Sequence, residues 1–359
     1  MHLSGMVLWS EGGTTAWQRM GITIADGAVR GTPADACEYW IVPGLVDVHC
    51  HVGLVGHEVA TAAQLLAQLQ DNLHSGVTLI RDAGVIEPTN WVDSFGGAPT
   101  IIRAGRHLAK TKRYIRELPI NVPSDAELPR FVLEQAQKNP WVKLVGDWID
   151  RRQGADSVLE PLWDPGALKE AVAAAHSVGS KVMVHTFAHA TIDDLLEAEV
   201  DSIEHGTGMD AEQMREAKAR GIPVTPTLLQ VGTFADIAQR AHKYPKYREQ
   251  MLRMYERRYE QVALMADIGV TLLVGTDTAP RPVHGGIYQE LAELRKAGLS
   301  TCEIIDSATW KARQFFGYSD LHEGAVPDFV AYRADPRDNL DVLQTPALVV
   351  SGHVTFAAK

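Results

Sequence analysis

The middle of the chain alternates between short apolar runs rich in β-branched residues and longer stretches whose apolar residues recur at helical spacing. The short runs predict strands and the longer stretches predict helices. The predicted strands span 45–52, 78–84, 100–104, 141–145, 181–185, 202–205, 223–228 and 271–277. The predicted helices span 58–74, 125–138, 165–178, 192–198, 246–268, 286–297, 301–309 and 310–316. The seventh strand is the weakest, because Pro226 cannot donate a backbone hydrogen bond to a neighbouring strand.

Strands that alternate with helices in this way indicate an α/β fold of the (β/α)8 TIM barrel type. An open doubly wound sheet gives a similar pattern and stays open as the alternative. The glycine-rich G-x-G-x-x-G turn of dinucleotide-binding sheets does not follow the first predicted strand. The barrel is therefore the favoured interpretation, and we expect it to occupy residues 43–321.

Both ends of the chain differ from the middle, because they contain only short strand-like runs separated by turn residues. The runs near the start span 6–9, 21–24 and 40–42, and those near the end span 328–332, 347–350 and 353–356. We expect the two ends, 1–42 and 322–359, to pair into one small β domain beside the barrel.

Charge and composition narrow the possible partners of this 359-residue chain. A formal net charge of -11 argues against nucleic acid or an anionic membrane, and no apolar run is long enough to span a bilayer. The first residues lack the pattern of a signal peptide, and three scattered cysteines give no disulfide framework, so a cytoplasmic location is expected. An apolar stripe on the predicted helix 246–268 fits packing against the barrel or a subunit contact, which leaves a homo-oligomer open.

Potential metal ligands lie on five of the eight predicted strands. His49 and His51 alternate on the first strand and therefore point to the same face. The other four lie on later strands, namely Lys143, His185, His205 and Asp277. Each alone also fits an ordinary structural role, such as a helix cap or a hydrogen-bonded core histidine. Lys143 is the hardest to explain in that way, because a buried ammonium among apolar neighbours is costly unless it is paired or chemically altered. Together, the six predict a shared metal site at the ends of the barrel strands.

These residues lie in motifs that resemble the amidohydrolase superfamily, in the branch with imidazolonepropionase-like and metal-dependent prolidase-like enzymes. The matching motifs are PGLVDVHCH, TLIRDAG, VKLV, VHTFAHA, DSIEHG and VGTD, followed by HGGIYQELAELRKAGLS, SATWKARQFFG and EGAVPDFVAY. The resemblance covers nearly the whole chain and is specific for the fold and the metal chemistry, but weak for the substrate.

The resemblance implies a distorted barrel, a small β-sandwich made from both chain ends, and a centre with two divalent metal ions. One metal would be bound by His49, His51 and Asp277, and the other by His185 and His205, with Lys143, carboxylated by carbon dioxide, as a bridge between them. Nitrogen and carboxylate ligands suit zinc, with cobalt, manganese or iron as alternatives.

The same resemblance implies a catalytic set of Asp277, His205 and Lys143. Two metals would polarise the scissile carbonyl and lower the pKa of a bridging water, which supplies the attacking hydroxide. Asp277 would take the proton of this nucleophile and pass it to the leaving nitrogen.

The loop after the third predicted strand departs from the family, whose members often carry a glycine-rich segment with histidine there. This chain instead has a basic run from Arg106 to Arg116. It fits either a solvated surface or a site for a substrate carboxylate. The candidate substrate-binding residues are His107, Lys112, Arg113 and Tyr114 in this run, and His189, Arg281 and His284 elsewhere.

The sequence therefore predicts a metal-dependent hydrolase that cleaves an amide C–N bond of a small substrate with a carboxylate, such as an Xaa-Pro dipeptide or an N-acyl amino acid. A cyclic amide, a lactone or another ester opened by the same centre is the second reading. A barrel that binds a ligand without catalysis is the third, and the six intact candidate ligands speak against it.

Overall fold

A computed structural model describes residues 1–278, 283–352 and 354–357. Its strands in chain order are β1 (His2–Glu11), β2 (Thr14–Ala25), β3 (Ala28–Thr32), β4 (Tyr39–Pro43), β5 (Leu45–Cys50), β6 (Leu54–Val55), β7 (Glu58–Val59), β8 (Val77–Asp82), β9 (Thr100–Arg103), β10 (Leu108–Lys110), β11 (Ile120–Val122), β12 (Trp141–Val145), β13 (Asp147–Ile149), β14 (Leu159–Pro161), β15 (Lys181–Thr186), β16 (Ser202–His205), β17 (Val224–Thr225), β18 (Asp328–Tyr332), β19 (Leu348–Ser351) and β20 (Val354–Ala357).

The α-helices of the same residues alternate with the central strands. In chain order they are α1 (Ala62–His74), α2 (Leu128–Ala136), α3 (Pro165–His176), α4 (His189–Glu197), α5 (Ala211–Arg220), α6 (Leu228–Gly232), α7 (Phe234–Arg240), α8 (Pro245–Ile268), α9 (Ile287–Lys296), α10 (Thr301–Ala308) and α11 (Trp310–Phe316). Several begin with the local signals expected of a helix start, such as the Thr61 and Asp210 capping boxes of α1 and α5. None of the described helices is both long and apolar enough to cross a membrane.

The central strands form two parallel sheets that share one connecting segment. One sheet has the order β11-β10-β12-β15-β16-β17 and the other has the order β5-β8-β9. The segment 272–278 lies between them, because Leu272 bridges to β17 and Thr278 bridges to Cys50 of β5. Eight parallel segments therefore follow one another in the order β9, β8, β5, 272–278, β17, β16, β15 and β12.

The predicted eighth strand is present only as these isolated bridges. Its backbone leaves the extended conformation at Asp277, which has a φ of 52°. Gly275 explains the close approach to β5, because a Cβ at this position would lie 2.6 Å from the Cβ of His49. The seventh predicted strand is also shorter than expected, since only Val224 and Thr225 form it and Leu228 already begins a helix.

Strands from both ends of the chain pair as expected. Parallel pairing joins β4 to β1, and antiparallel pairing joins β4 to β18. The result is a seven-stranded sheet with the order β20-β19-β18-β4-β1-β2-β3. The predicted run 353–356 is seen as Val354–Ala357, and His353 lies outside the described residues. The strands form one hydrogen-bonded sheet, so the pairing does not show the two facing sheets of a sandwich.

Candidate metal centre

Four candidate ligands lie on parallel strands, three of them at or next to the carboxyl end and Lys143 at the middle of its strand. His49 is on β5, Lys143 on β12, His185 on β15 and His205 at the end of β16. All four are at least 96 % buried. The strands around them consist of buried apolar residues, and parallel pairing therefore brings their ends to the same edge of the sheets. The structure thus collects residues that are far apart in the sequence into one buried cluster.

His49, His51 and Asp277 form the first part of this cluster. Asp277 Oδ1 lies 3.1 Å from His51 Nε2 and 3.3 Å from His49 Nε2. The backbone fixes this arrangement, because the Asp277 N–H donates to the carbonyl of His49 at 2.7 Å. The fold thus brings together the three side chains that the sequence analysis assigned to one metal.

The other ring nitrogen of each histidine has a partner that can only accept a hydrogen bond. His49 Nδ1–H donates to the Glu204 carboxylate at 2.6 Å, and His51 Nδ1–H donates to the Gly84 carbonyl at 2.8 Å. Each Nε2 then faces Asp277, where a bound cation would lie between them. Such outer partners orient metal-binding histidines in other proteins.

His185 and His205 form the second part of the cluster. His185 Nδ1 lies 3.0 Å from His205 Nε2, and the ligand atoms of His205, His49 and Asp277 all lie within 4.8 Å of one another. Lys143 contacts the first part, since its Nζ lies 3.2 Å from His49 Nε2. The six candidate residues therefore make one continuous group.

Burial sets the protonation of several of these groups. Burial lowers the pKa of His205 to about 3, and burial together with the charge of His205 lowers the pKa of His185 well below its usual value. Burial also lowers the pKa of Lys143 to about 8. For Asp277, burial alone would raise the pKa, but its contacts with His49 and His51 hold it well below the usual range. At neutral pH His185 and His205 are therefore neutral and Asp277 is ionised.

This donor set fits divalent metal ions. Neutral imidazole nitrogens and a carboxylate are the usual ligands of zinc, and two such donors on one tetrahedral ion lie roughly 3.3 Å apart. The observed separations of 3.0 to 3.3 Å match that spacing. An imidazole lone pair repels a carboxylate oxygen at this distance unless a proton or a cation lies between them.

A second layer of buried carboxylates supports the cluster, and the sequence analysis missed it. Glu204 bonds His49 with one oxygen and Arg81 with the other, at 2.7 Å. Burial opposes its ionisation, but Arg81 and His49 keep the pKa of Glu204 below its usual range. Asp47 accepts from the hydroxyl and the N–H of Thr276, just before Asp277. These carboxylates fix the backbone and the rings of the ligand set.

Asp147 belongs to the same layer. It accepts hydrogen bonds from Thr186, Phe187 and Ala188, the residues that follow His185. The signal in the sequence is an acid within a buried strand or directly after one, which is the criterion that singled out Lys143. Applied to acids, it would have found Asp47, Asp147 and Glu204.

Two of the predicted substrate-binding residues lie beside the cluster. His107 is fully buried and its ring stacks on His51, with 5.2 Å between the centroids. Neither of its ring nitrogens has a hydrogen-bond partner in the described structure. The Tyr114 ring packs edge-on against His185 at 5.7 Å and against Trp148 at 4.6 Å. His107 and Tyr114 are therefore within reach of a ligand at the cluster.

Lys112 and Arg113 line a cavity of about 410 Å³, and Tyr114 and Trp148 form part of the same lining. Lys112 is exposed and forms no ion pair within the described ranges. Arg113 is already partnered, because its guanidinium lies 3.4 Å from Asp150 and donates to the Trp148 carbonyl. The remaining lining includes Lys110, Thr111, Pro123 and residues 149–152.

The other predicted substrate-binding residues lie elsewhere. His189 begins α4 with an exposed side chain, donates to the carbonyl of Gly208 and lies 4.0 Å from the Asp210 carboxylate, so its contacts are outside the cluster. His284 lies behind β5, where Nδ1 is 3.2 Å from the Asn72 amide and 3.6 Å from the Cys50 sulfur. Burial lowers the pKa of His284 to about 4. Arg281 falls outside the described residues.

Comparisons with known proteins agree with this geometry. An uncharacterised protein of Mycobacterium tuberculosis is 38 % identical over 362 residues, covering 99 % of this chain and 95 % of the relative. The solved structure of an Xaa-Pro dipeptidase with bound methionine superposes with a TM-score of 0.81, at 19 % identity and 99 % coverage of both chains. A prolidase complexed with N-methylphosphonate-L-proline gives a TM-score of 0.81 at 19 % identity, covering 100 % of this chain and 99 % of the other.

The two solved structures are too distant in sequence to show more than the fold. The sequence pattern of the Amidohydrolase family, however, matches residues 40–354, which is most of the chain. The family predicted from the motifs is thereby confirmed: this chain belongs to the amidohydrolase family.

Proposed function

We propose that the chain is a metal-dependent hydrolase that cleaves an amide C–N bond of a small substrate carrying a carboxylate. The observation that carries the proposal is the convergence of His49, His51, Lys143, His185, His205 and Asp277 in one buried cluster. The likeness to an Xaa-Pro dipeptidase and a prolidase supports dipeptides as the first substrates to test.

In this proposal His49, His51 and Asp277 hold one ion, His185 and His205 hold the second, and Lys143 joins them as a carbamate. Zinc suits the nitrogen and carboxylate donors. When bound, the metals supply polarisation of the scissile carbonyl and a lowered pKa of the attacking water. Lys143 is suited to modification, because a buried amine with a pKa of about 8 has a larger neutral fraction than an exposed lysine.

Asp277 carries the proton in the proposed reaction. Its side chain keeps 13 % exposure, which leaves it open to water, and its ionised form would accept a proton from the attacking water. The same oxygen then returns the proton to the leaving nitrogen. His205, neutral and adjacent to Asp277, completes the catalytic set with Lys143.

We propose the (β/α)8 barrel as the architecture that carries this site. The third strand supports closure of the ring, because β9 is at the edge of one sheet and the chain runs from it directly into β10, which pairs with β12 of the other. A ladder between β9 and β12 themselves is not found in the described part of the chain. We also propose the domain limits predicted from the sequence, with 43–321 as the barrel and 1–42 together with 322–359 as a small β-sandwich.

The first prediction tests the metal centre. We expect about two zinc, cobalt or manganese ions per purified chain, measured by elemental analysis, and loss of hydrolysis on chelation with recovery when the metal is restored. His49→Asn should lose metal, whereas His176→Asn, an exposed histidine paired with Asp201, should not. Fewer than one ion per chain, together with no activation by these metals, would exclude the centre and leave a ligand-binding barrel.

The substrate class is tested with a panel of Xaa-Pro dipeptides and N-acyl amino acids, each alongside its neutral amide. Cyclic amides and lactones form the second arm of the panel. Preferential turnover of the carboxylates supports the proposal, whereas turnover confined to the second arm contradicts it.

The cavity beside Tyr114 changes which cations we expect to bind the carboxylate. Three cations of the basic run have partners within the fold, because Arg106 donates to the Leu118 carbonyl, Lys110 contacts Asp125, and Arg113 contacts Asp150. Lys112 and Arg151 line the cavity without an ion pair among the described residues. These two are the cations available to an anionic substrate.

The second prediction follows from that difference. Lys112→Ala or Arg151→Ala should lower kcat/KM for the carboxylate substrate by roughly two- to fivefold, the loss of up to about 1 kcal/mol from an ion pair made by an exposed cation. Activity on the neutral amide should stay near that of the parent. Arg116→Ala is the matched control, because Arg116 is exposed and does not line the cavity. An unchanged acid-to-amide ratio in both test variants would mean that this surface does not bind substrate.

A further inference from the structure

Glu290 is a buried carboxylate that the proposed reaction does not use. It lies on α9, is 1 % exposed and forms no ion pair within the described residues. One oxygen accepts from the Leu228 N–H at 2.6 Å and the other from the Leu229 N–H at 2.9 Å. Burial of an unpaired carboxylate is costly, so these two bonds call for an explanation beyond packing.

The two N–H groups belong to the first turn of α6, which follows Thr227. The first N–H groups of a helix lack partners within it, and a threonine immediately before the helix commonly accepts one of them with its own hydroxyl. Thr227 makes no such bond. Glu290 takes over that capping role, although it lies 61 residues after Leu229 in the sequence.

Thr227 uses its hydroxyl on His205 instead. Its Oγ1 lies 2.6 Å from His205 Nδ1, and the opposite ring nitrogen, Nε2, faces His185 Nδ1 at 3.0 Å. Thr227 has a φ of 46° and a ψ of 55°, a left-handed conformation that is strained for a β-branched residue. Such strain persists only where the surroundings hold it, and Glu290 holds the two residues that follow.

We propose that Glu290 is a positioning residue for His205: by capping α6 it releases the Thr227 hydroxyl to fix the His205 ring. When the hydroxyl oxygen accepts from Nδ1–H, the lone pair of Nε2 is directed at the second metal position. This inference rests on the proposed metal centre for its functional meaning, whereas the chain of contacts from Glu290 to His205 stands without metal.

The test uses the full chain and four variants. Glu290→Ala removes the cap, Thr227→Val removes the hydroxyl at nearly constant shape, and Thr227→Ser restores it. Glu293→Gln is the matched control, because Glu293 lies one turn later on α9 and bonds Tyr259 rather than α6. Glu290→Gln, which keeps one acceptor oxygen, serves if Glu290→Ala does not fold.

Two measurements are made on each variant. Cobalt titration followed by its visible spectrum gives the affinity of each metal position, and ¹⁵N NMR of the histidine rings without metal gives the His205 tautomer. Glu290→Ala and Thr227→Val should each weaken the second cobalt by 10- to 100-fold and leave the first unchanged, which is the usual effect of losing an outer partner of a ligand. Thr227→Ser and Glu293→Gln should resemble the parent.

A double variant decides whether the two residues act in series. If Glu290 acts through Thr227, the double variant Glu290→Ala with Thr227→Val should bind the second cobalt no more weakly than the more affected of the two single variants. Independent effects on the affinity would instead multiply. Multiplying effects, or an unchanged His205 tautomer in metal-free Glu290→Ala or Glu290→Gln, would overturn the inference. A parent chain that binds no cobalt instead rejects the proposed function, and the NMR result still decides the role of Glu290.

Discussion

Replacing Asp277 by asparagine should lower kcat by on the order of 10²-fold or more while most of the metal stays bound. Asp277 Oδ1 lies 3.3 Å from His49 Nε2 and 3.1 Å from His51 Nε2, and an asparagine can keep an oxygen at that place. It also tolerates the left-handed backbone that Asp277 adopts at a φ of 52°. What it lacks is a site that accepts a proton from water and returns it to the leaving nitrogen.

The measurement is steady-state kinetics on protein whose metal content has been determined in the same preparation. Asp267→Asn is the control, because it makes the same change on an exposed face of α8. A metal-loaded Asp277→Asn enzyme with near-normal kcat would exclude Asp277 as the proton carrier. If kcat falls only in proportion to the metal content, the role of Asp277 is metal binding rather than proton transfer.

Residues with a regular spacing were the easiest to place from the sequence. His49 and His51 alternate on a strand and share a face, and the run 328–332 coincides with β18. The eighth predicted strand is seen only as isolated bridges at Leu272 and Thr278. Its apolar sequence is typical of a strand, but the backbone leaves the extended conformation at Asp277. Periodicity describes regular backbone, and the site depends on a departure from it.

The basic run from Arg106 to Arg116 shows a second limit of the sequence. Its charge is visible in one dimension, but the partners of Arg106, Lys110 and Arg113 lie on other segments, at Leu118, Asp125 and Asp150. The run therefore has a smaller free charge than its composition suggests. The available cations near the cavity include Arg151, which the run does not contain.

The buried carboxylates show a third limit, because their hydrogen-bond partners lie far away in the sequence. Glu204 lies inside the DSIEHG motif and Glu290 lies inside HGGIYQELAELRKAGLS, so both belong to motifs that carry the family resemblance. Glu204 stands beside the candidate ligand His205 in the sequence, but its carboxylate fixes the ring of His49 on another strand. Long-range partners of this kind follow from tertiary packing, which one sequence alone does not specify.

Replacing Lys143 by alanine should cost both metal and activity. Lys143 is 1 % exposed and its Nζ lies 3.2 Å from His49 Nε2, so a carbamate on this nitrogen would lie beside the candidate ligands. We expect occupancy to fall from about two ions per chain toward one, and kcat/KM to fall by on the order of 10²-fold or more, because a two-metal centre needs both ions to orient and polarise the amide. A small carboxylate such as acetate should restore part of both, since it offers the bridging oxygens that the carbamate supplied.

The modification itself is measured by ¹³C NMR of the parent chain loaded with metal and labelled bicarbonate. A carbamate carbon should be seen in the parent and should be absent from Lys143→Ala. Lys181→Ala is the control, because Lys181 lies at the opposite end of the neighbouring strand β15, where its register partner is Trp141. A fully metal-loaded parent with a free Lys143 amine would refute the carbamate. A carbamate on Lys143 would make the filling of the metal positions depend on carbon dioxide. Metal added to a chain freed of bicarbonate should bind at one position first, and the second position should fill only when bicarbonate is restored. That order of filling separates a bridging carbamate from a lysine that merely packs beside His49.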